Sequence, residues 1–310
     1  MKLLITGGTG FIGREILKKV SERNMEAIVL VRKNELIGED LYNLKGITFE
    51  PYDYDLNSEI PLELISNAEG IINLAGEPIF SLRWSREKKK KILASRVAIT
   101  RQIVAALEKV KDKKKRILVS ASAVGYYGDR GSDKLRESDH PGDDFLAKVC
   151  KRWEEEALKA EEFNTRVVLM RTGIVLGKNG GALQKMSMPY AFGLGGALGD
   201  GKQYMSWIHL DDIAEAYLFA LENKDLKGSV NASTPNPVTM KEFARVLGKV
   251  LKKPYIFRTP SFALDLLMGE VAKTVTTGQR VIPFKLMEKG FKFRYSFIYK
   301  ALENILLKAN

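Results

Sequence analysis

The sequence predicts an α/β fold in which a doubly wound parallel sheet carries helices on both faces, with a smaller C-terminal lobe beside it. Three observations predict this class. Short apolar runs alternate with amphipathic segments, a glycine-rich loop follows the first run, and a glycine-rich stretch near residue 177 interrupts the alternation. Strands that alternate with helices form parallel sheets, because right-handed crossovers bring each helix back onto a face of the sheet.

Six apolar runs are short enough to be buried strands. They are Lys2–Thr6, Ala27–Val31, Ile47–Phe49, Gly70–Ala75, Ile117–Ser120 and Val167–Met170. The segment after the first run has the period of an amphipathic helix, with one face formed by Ile12, Ile16, Leu17 and Val20. Longer helices are predicted over residues 85–110 and 144–160. The alternation of the two kinds of segment supports the doubly wound sheet.

The regular alternation stops after Arg171, and this break predicts the domain organisation. We expect one domain over residues 1–225, with an excursion over about 177–206 on the substrate side, and a smaller lobe over residues 226–310. Trp207–His209 is predicted to return to the sheet. The smaller lobe is marked by four prolines, Pro235, Pro237, Pro254 and Pro260.

Composition excludes several classes of protein. Of the 310 residues 45% are hydrophobic, but no apolar stretch reaches the roughly 18 residues that a membrane helix needs. The N-terminal apolar run Leu3–Ile5 is too short for a signal peptide. A single cysteine, Cys150, excludes an internal disulfide, and one cysteine with two histidines predicts no metal site. We therefore expect a cytoplasmic protein, monomeric or homodimeric, without a membrane partner.

The net charge of +12 is concentrated in two runs, Arg86–Lys91 and Lys111–Arg116. Such runs occur in nucleic-acid-binding surfaces and also on solvated helix faces. Neither run is interleaved with the aromatic residues on which nucleic-acid bases stack. We therefore expect a solvated face, a small-molecule substrate and no nucleic-acid partner.

The glycine loop predicts a dinucleotide site of the Rossmann type. Two overlapping glycine patterns, G-x-G-x-x-G and G-x-x-G-x-x-G, share one segment after a strand and before a helix, formed by Gly7, Gly8, Thr9, Gly10, Phe11, Ile12 and Gly13. Glycines permit the tight turn and let the backbone approach phosphates, and the helix N-terminus offers free N–H groups. The pyrophosphate of a cofactor is expected here.

The end of the second predicted strand selects the cofactor. NAD sites usually place an acidic residue there to bind the ribose 2′-hydroxyl, whereas this sequence has Arg32 and Lys33. A guanidinium pairs with a 2′-phosphate, which a carboxylate would repel. The sequence therefore predicts NADP(H).

Further motifs carry a family resemblance. They include Asn73–Ile79, Ser122–Gly128, Arg171–Gly177, Ser206–His209 and Gly278–Val281. With the glycine loop, they resemble the atypical extended short-chain dehydrogenases/reductases. More narrowly, the chain is similar to the epimerase-like group of the NAD-dependent epimerase/dehydratase superfamily, whose C-terminal domain of unknown function would span about residues 250–300 here.

The resemblance implies further cofactor contacts at the end of the fourth strand, from Leu74, Ala75 and Gly76. Arg96 falls where the wider superfamily often has asparagine, and it is either a cofactor-site residue or an exposed arginine on a lysine-rich helix. Parallel sheets bind ligands beyond the carboxyl ends of their strands, in agreement with the first three assignments.

The resemblance also implies catalysis by serine, tyrosine and lysine, and only the serine is present. Ser122 follows the fifth strand and fits the serine position. The Tyr-x-x-x-Lys pair is missing, since one alignment of the helix places Leu146 and Cys150 there. An alignment shifted by one residue places Ala147 and Lys151 at the two positions. Ordinary proton transfer through a tyrosine–lysine pair is therefore not expected.

Substitute groups are candidates for the proton transfer. Tyr126 and Tyr127 lie shortly after Ser122 and are either catalytic or structural. Cys150 is either reactive or a buried apolar residue, and His209 is either an acid or base or a structural histidine.

Two functions remain open from the sequence. The first is an NADP(H)-binding oxidoreductase or epimerase-like enzyme for a small carbonyl or sugar-like metabolite. The alternative is a sensor or scaffold that binds NADP(H) without turnover.

Overall fold

A parallel sheet lies at the centre of this computed structural model, which describes residues 1–54, 58–79, 83–110, 112–178 and 180–307. The strands are β1 Lys2–Thr6, β2 Glu26–Arg32, β3 Ile47–Tyr52, β4 Gly70–Asn73, β5 Arg116–Ala123, β6 Lys134–Leu135, β7 Thr165–Thr172, β8 Ile174–Leu176, β9 Gly196–Leu198, β10 Tyr204–Met205, β11 Trp207–His209, β12 Gly228–Ala232, β13 Val238–Thr239, β14 Phe257–Thr259 and β15 Arg280–Val281.

Helices cover both faces of this sheet. They are α1 Phe11–Glu22, α2 Glu39–Tyr42, α3 Leu62–Asn67, α4 Arg86–Lys109, α5 Phe145–Leu158, α6 Gly181–Ala191, α7 Leu210–Glu222, α8 Met240–Leu251, α9 Ser261–Met268, α10 Lys273–Thr276, α11 Phe284–Glu288 and α12 Ile298–Leu307. Helices α1 and α7 share one apolar core with the sheet, and α3, α4 and α5 share a second core on the opposite face. This arrangement confirms the predicted doubly wound α/β fold.

The strand order determines where a ligand can bind. Within the described residues the central sheet runs β12-β7-β5-β4-β1-β2-β3, and all of its neighbours are parallel. The chain direction across the sheet reverses between β1 and β4, which is the topological switch point of a Rossmann fold. Ligands of such sheets bind in the crevice at this point, outside the carboxyl ends of the strands.

The edge of the central sheet differs from the sequence prediction. Trp207–His209 does form a strand, but it pairs with β8 in a separate two-stranded sheet. The seventh strand of the central sheet is instead β12, which pairs with β7 and lies beyond the boundary predicted at residue 225. Local patterning identifies a strand but not its partner, because pairing depends on the tertiary position of both strands. We propose that the C-terminal lobe begins after β12.

The C-terminal lobe has its own apolar core. This core is built around α8 and α12 and includes Phe243 and Leu247 of α8, Leu302 of α12, and Trp207. Leu183 from the excursion joins the same cluster. The segment predicted as a substrate-side excursion is therefore packed against the lobe.

Both basic runs make contacts within the protein. The Lys89 ammonium pairs with Glu270 of the C-terminal lobe. Arg116 is buried, and its Nη1 donates to the Asp112 carboxylate over 2.7 Å. Lys111, the first residue of the second run, lies outside the described residues. Part of the basic charge therefore stabilises the fold.

Candidate cofactor and substrate site

The glycine loop lies between β1 and α1 at the carboxyl edge of the sheet. Gly7 has a left-handed φ of 70°, and the Gly10 amide donates to the Gly7 carbonyl over 3.2 Å. Gly10 is the N-cap residue of α1, and no side chain caps the helix there. The first N–H groups of a helix lack intrahelical partners, and the helix dipole makes this end positive. The loop therefore offers amide donors to an anion such as pyrophosphate.

Two glycines of this loop leave no room for a side chain. A Cβ on Gly7 would lie 2.8 Å from the backbone nitrogen of Ala75, so the loop runs against the end of β4. A Cβ on Gly13 would lie 2.4 Å from the Gly7 oxygen and 2.5 Å from the Gly8 oxygen. Only glycine lets α1 approach the loop this closely. The shape of the glycine loop therefore depends on these two residues.

The remaining side chains of the loop connect it to other parts of the protein. The Thr9 hydroxyl donates to the Glu35 carboxylate over 2.5 Å, next to the end of β2. The Phe11 ring lies against the start of the excursion, where a Cβ on Gly180 would meet the ring at 2.7 Å. Ile12 packs against the core under α1. The loop therefore contacts both the β2 end of the sheet and the substrate-side segment.

A buried polar network holds the end of β4 beside β1. Asn73 accepts from the Thr6 hydroxyl over 2.7 Å and donates to Thr100 of α4 over 2.8 Å. The Ala75 amide lies 3.4 Å from the Thr6 hydroxyl oxygen. Leu74 and Ala75 follow directly and lie at the switch point, where a cofactor crosses the sheet. The network therefore stabilises the backbone on which these predicted contacts depend.

Arg96 is partly buried and contacts the loop that follows β4. Its guanidinium donates to the Glu77 carbonyl over 3.0 Å and to the Ile92 carbonyl over 2.9 Å. A Cβ on Gly76 would lie 3.1 Å from the Arg96 Cζ atom. Burial lowers the pKa of Arg96 from its usual value. Arg96 therefore supports the segment that contains Ala75 and Gly76, and it is not simply an exposed residue on a lysine-rich helix.

The end of β2 forms one wall of a shallow pocket. Its lining residues are Arg32, Lys33, Asn34, Glu35, Tyr52, Asp53 and Tyr54. The Arg32 side chain is 74% exposed and lies 3.4 Å from the Glu35 carboxylate, and the Lys33 ammonium lies 3.0 Å from Asp53. Burial raises the pKa of Glu35, but hydrogen bonds from Thr9 and Arg32 outweigh this effect and lower it overall. Both predicted cations are therefore accessible to a 2′-phosphate.

Ser122 lies at the end of β5 and is hydrogen-bonded to a buried ion pair. Its hydroxyl donates to the Glu154 carboxylate over 2.6 Å. Arg171 of β7 holds the same carboxylate with two donors, at 2.9 Å and 2.8 Å. All three residues are almost fully buried. A buried carboxylate is stable only when paired and hydrogen-bonded, and this arrangement meets both conditions.

The two candidate tyrosines have different environments. Tyr127 is fully buried, and its hydroxyl donates to Asn231 over 2.6 Å and accepts from Arg171 over 3.0 Å. Burial raises the pKa of Tyr127 to about 12. Tyr126 is half-buried, and the Arg171 guanidinium lies over its ring at 3.4 Å. Tyr127 is therefore a core residue whose hydroxyl is already hydrogen-bonded, whereas the phenol of Tyr126 is more accessible.

The packing of α5 indicates which of the two alignments of this helix places its paired residues on the side of Ser122. Cys150 is buried, while Lys151 is exposed and lies 3.9 Å from the Glu155 carboxylate. A Cβ on Gly125, three residues after Ser122, would lie 3.5 Å from the Leu146 Cβ. This contact favours the alignment that places Leu146 and Cys150 at the superfamily's tyrosine and lysine positions. Burial raises the pKa of Cys150 to about 12, so its thiol stays protonated at neutral pH. Because the thiolate is the reactive form of cysteine, this protonated thiol is not expected to be reactive.

His209 is the N-cap residue of α7. Its Nδ1 accepts from the Asp211 amide over 3.0 Å, and its ring stacks on Tyr295 at 3.9 Å. Burial lowers the pKa of His209 to about 4. A capping Nδ1 must be unprotonated to accept a hydrogen bond. His209 therefore has the contacts of a structural histidine.

His209 predicts a pH-dependent loss of stability. Its pKa in the folded state, about 4, lies below the usual 6.5, so its stabilising effect is complete above pH 6.5 and is lost as the pH falls towards 4. The loss amounts to roughly 3 kcal/mol at about 1.4 kcal/mol per pKa unit. Urea unfolding of His209→Asn should show a flatter pH dependence between these values. His140→Asn, at an exposed histidine, should behave as the parent protein does. An unchanged slope in His209→Asn would contradict the assignment.

A cavity of about 280 Å³ lies between the carboxyl edge of the sheet and the C-terminal lobe. Val124, two residues after Ser122, lines it together with Ile174. The remaining walls come from the excursion at 177–206 and from α8, α9 and α10. The cavity therefore adjoins the segment that follows Ser122 at the end of β5.

Comparison with known proteins agrees with this geometry. A family model described as the NAD dependent epimerase/dehydratase family matches residues 3–233, and a second, described as a domain of unknown function (DUF1731), matches residues 259–305. The chain belongs to the NAD-dependent epimerase/dehydratase family. The chain is 39% identical to an epimerase family protein SDR39U1 homolog, chloroplastic, from Arabidopsis thaliana, over 99% of this chain and 87% of that protein. It is 34% identical to the epimerase family protein YfhF of Bacillus subtilis (strain 168), over 99% and 98%.

Solved structures of this epimerase/dehydratase family share the fold. The human epimerase family protein SDR39U1, solved with NADPH, is 30% identical, with a TM-score of 0.86 and full coverage of both chains. The nucleoside-diphosphate sugar epimerase of Corynebacterium glutamicum is also 30% identical, with a TM-score of 0.78, and the alignment covers 99% of this chain and 58% of that one. NADPH in the human protein is the cofactor that Arg32 predicts for this chain. In the described residues, no helix is both long and apolar enough to cross a membrane.

Sequence reasoning missed three charged residues of this epimerase/dehydratase site. Glu35 and Asp53 pair with the predicted phosphate-binding cations, and Glu154 accepts a hydrogen bond from the Ser122 hydroxyl. Glu35 follows Arg32 by three residues, so the short spacing was a signal for the first pair. Asp53 and Glu154 lie far along the chain from their partners, and no sequence pattern indicates those contacts.

Proposed function

We propose that the chain is an NADP(H)-dependent oxidoreductase or epimerase-like enzyme that acts on a small carbonyl or sugar-like molecule in the cytoplasm. The observation that carries the proposal is the position of Ser122. Strand β5 ends at the same edge of the sheet as the glycine loop, and the cavity begins at Val124. The human relative solved with NADPH supports the choice of cofactor.

The residues at the sheet edge fit NADP(H). The uncapped start of α1 would hold the pyrophosphate, and Arg32 and Lys33 would hold the 2′-phosphate. Ala75 and Gly76 would line the path toward the nicotinamide half. The chemistry supplied by bound NADPH is hydride transfer to a carbonyl carbon, which leaves NADP⁺ and, once a proton joins the oxygen, an alcohol.

Ser122 and Tyr126 are the groups that we assign to the substrate oxygen. The Ser122 hydroxyl would turn from Glu154 to donate a hydrogen bond to that oxygen, while Arg171 keeps the Glu154 carboxylate in place. Burial raises the pKa of Tyr126, so its phenol stays protonated at neutral pH and would act as a hydrogen-bond donor to the substrate oxygen. Tyr127 remains a structural partner of Asn231 and Arg171 in this proposal.

Ser122→Ala is expected to lower kcat about 10²- to 10³-fold, the usual cost of removing one donor to a developing oxyanion. The assay follows the nicotinamide absorption band, as NADPH consumption with a panel of carbonyl compounds and as NADP⁺ reduction with a panel of sugar nucleotides. Ser66→Ala is the control, since the Ser66 hydroxyl donates to the Leu62 carbonyl of α3, outside the site. If both variants turn over as fast as the parent protein, Ser122 has no role in the chemistry.

A second candidate is a sensor or scaffold that binds NADP(H) without turnover. It is favoured by the hydrogen bond that the Ser122 hydroxyl donates to Glu154, and by the alignment that places Leu146 and Cys150 at the positions of the tyrosine–lysine pair. This candidate predicts tight NADPH binding without consumption by any member of the panel. It also predicts a protein partner whose binding differs between the NADPH and NADP⁺ forms.

Arg32→Ala should weaken NADPH binding about 10- to 150-fold and leave NADH binding nearly unchanged. A charge-assisted hydrogen bond contributes about 1.5–3 kcal/mol, and only NADPH has the 2′-phosphate. Quenching of tryptophan fluorescence by each cofactor gives both affinities. Arg23→Ala is a suitable control, because Arg23 pairs with Glu215 and Glu222 outside the pocket. Equal losses for NADPH and NADH in Arg32→Ala would remove the argument from the 2′-phosphate.

A further inference from the structure

The cavity beside Val124 has largely apolar walls. Four methionines line it, Met186, Met205, Met240 and Met268. Leu198, Leu264 and Phe243 line it as well. Methionine adapts its shape to irregular apolar ligands, because its side chain is unbranched and polarizable. The walls therefore offer an apolar ligand extensive contact.

Most of the polar groups in these walls are already hydrogen-bonded within the protein. Gln203 Nε2 donates to the carbonyls of Leu198 and Val275 at 2.9 Å and 2.8 Å. Gln279 Nε2 donates to the Gly128 carbonyl over 2.9 Å. The side-chain donors of three further lining residues also go to backbone carbonyls, those of Ser206, Thr274 and Thr277. Gln203 Oε1 is buried without a partner and could accept one hydrogen bond, but a ligand rich in hydroxyl groups would find few donors here.

Charge in the cavity wall is limited to one residue. Among the described lining residues only Lys185 is charged, and it lies on α6 and is exposed. Proteins recognise phosphate groups with clustered cations, above all arginine, and no arginine lines this cavity within the described residues. The described lining residues therefore include no cluster of cations that could bind a diphosphate.

The segments that enclose the cavity also expose large apolar side chains on their outer surface. Phe192 follows α6 and is 76% exposed, and Ile256 precedes β14 and is 80% exposed. On α9, Phe262 and Leu266 are 74% and 76% exposed, while Leu264 of the same helix lines the cavity. An apolar molecule that approaches this side therefore meets apolar surface before it enters.

From these observations we propose that the substrate is a small apolar carbonyl compound, without a nucleotide or diphosphate group. This inference rests on the proposed redox function, because it assigns the substrate class of that site. The cavity volume of about 280 Å³ lies just below the roughly 300–1,000 Å³ of sites for drug-sized ligands, so the substrate is small. The apolar part fills the cavity, and the carbonyl oxygen points toward Ser122.

The test measures binding separately from turnover. The full-length protein saturated with NADP⁺ is titrated with unbranched 2-alkanones of increasing length and with UDP-glucose, and binding is followed by ligand-observed NMR. Affinity for the alkanones should rise about fourfold per added methylene, the factor that corresponds to burying one CH₂, and then level off when the cavity is full. UDP-glucose should neither bind nor compete.

Two variants of α6 provide a matched pair. Ala182→Phe places a ring in the cavity wall and should lower alkanone affinity at least tenfold. Gln184→Phe adds the same ring at an exposed position of the same helix and should bind alkanones as the parent protein does. Tighter binding of UDP-glucose, affinity that is independent of chain length, or parental affinity in Ala182→Phe would each overturn the proposal.

Turnover separates this inference from the proposed function. Alkanones that bind with the expected length dependence but are not reduced by NADPH would support the assigned ligand class and overturn the redox function. Oxidation of UDP-sugars by NADP⁺ without reduction of alkanones by NADPH would do the reverse.

Discussion

Replacing Gly13 with alanine is expected to lower the affinity for NADPH at least about 100-fold. The added Cβ would lie 2.4 Å and 2.5 Å from two backbone oxygens, those of Gly7 and Gly8, so the loop and α1 must separate. Separation removes the amide donors of the helix start from the pyrophosphate. Two charge-assisted hydrogen bonds at about 1.5–3 kcal/mol each account for a loss of this size. Fluorescence titration with NADPH measures it.

Gly290→Ala is the control for the loss of a glycine as such. Gly290 has a left-handed φ of 82°, unlike the helical Gly13, and nothing lies within 4 Å of the position of its Cβ. This variant should be slightly less stable and should bind NADPH as the parent protein does. If Gly13→Ala also kept parental affinity, the pyrophosphate would not lie on the glycine loop.

Arg171→Met is expected to lower the free energy of unfolding by about 3–5 kcal/mol. The change leaves the Glu154 carboxylate buried without its cation, and an uncompensated buried charge carries a cost of this size. The side chains of both residues are less than a tenth exposed, at 3% and 6%. The loss is measured by urea denaturation without cofactor, so that ligand binding does not contribute.

The double variant Glu154→Leu/Arg171→Met separates the ion pair from the volume of the side chains. It should regain at least half of the stability, because replacing both members of a buried pair with apolar residues is often neutral. Lys2→Met, which breaks an exposed pair with Glu26, should change the free energy of unfolding by less than about 1 kcal/mol. If Arg171→Met were no less stable than Lys2→Met, the buried pair would not stabilise the fold.

The cofactor half of the site depends largely on local signals. Gly7 and Gly13 are adjacent to a strand and a helix that the sequence also indicates, and steric contact explains why both positions require glycine. Arg32 ends a strand that periodicity identifies. Such features involve residues close in sequence, and the geometry between them follows from the standard connection of a strand to a helix.

The substrate half could not be derived in the same way. Ser122 contacts Glu154 across 32 positions of the chain, and the choice between Cys150 and Lys151 changes with a one-residue shift of α5. A shift of one residue rotates a helix by about 100°, since 3.6 residues make a turn, so it exchanges the buried and exposed faces. Only the packing of α5 against β5 and β7 decides between the two alignments.

The sequence by itself determined the class of fold, the glycine loop and the preference for a 2′-phosphate, because each follows from residue type and short-range spacing. The tertiary structure alone decided that β12 completes the sheet, that the Ser122 hydroxyl is bonded to a buried Glu154–Arg171 pair, and that the cavity walls are apolar. These features join segments that are distant in the chain. Their contacts are set by how helices and strands pack together, which no local pattern records.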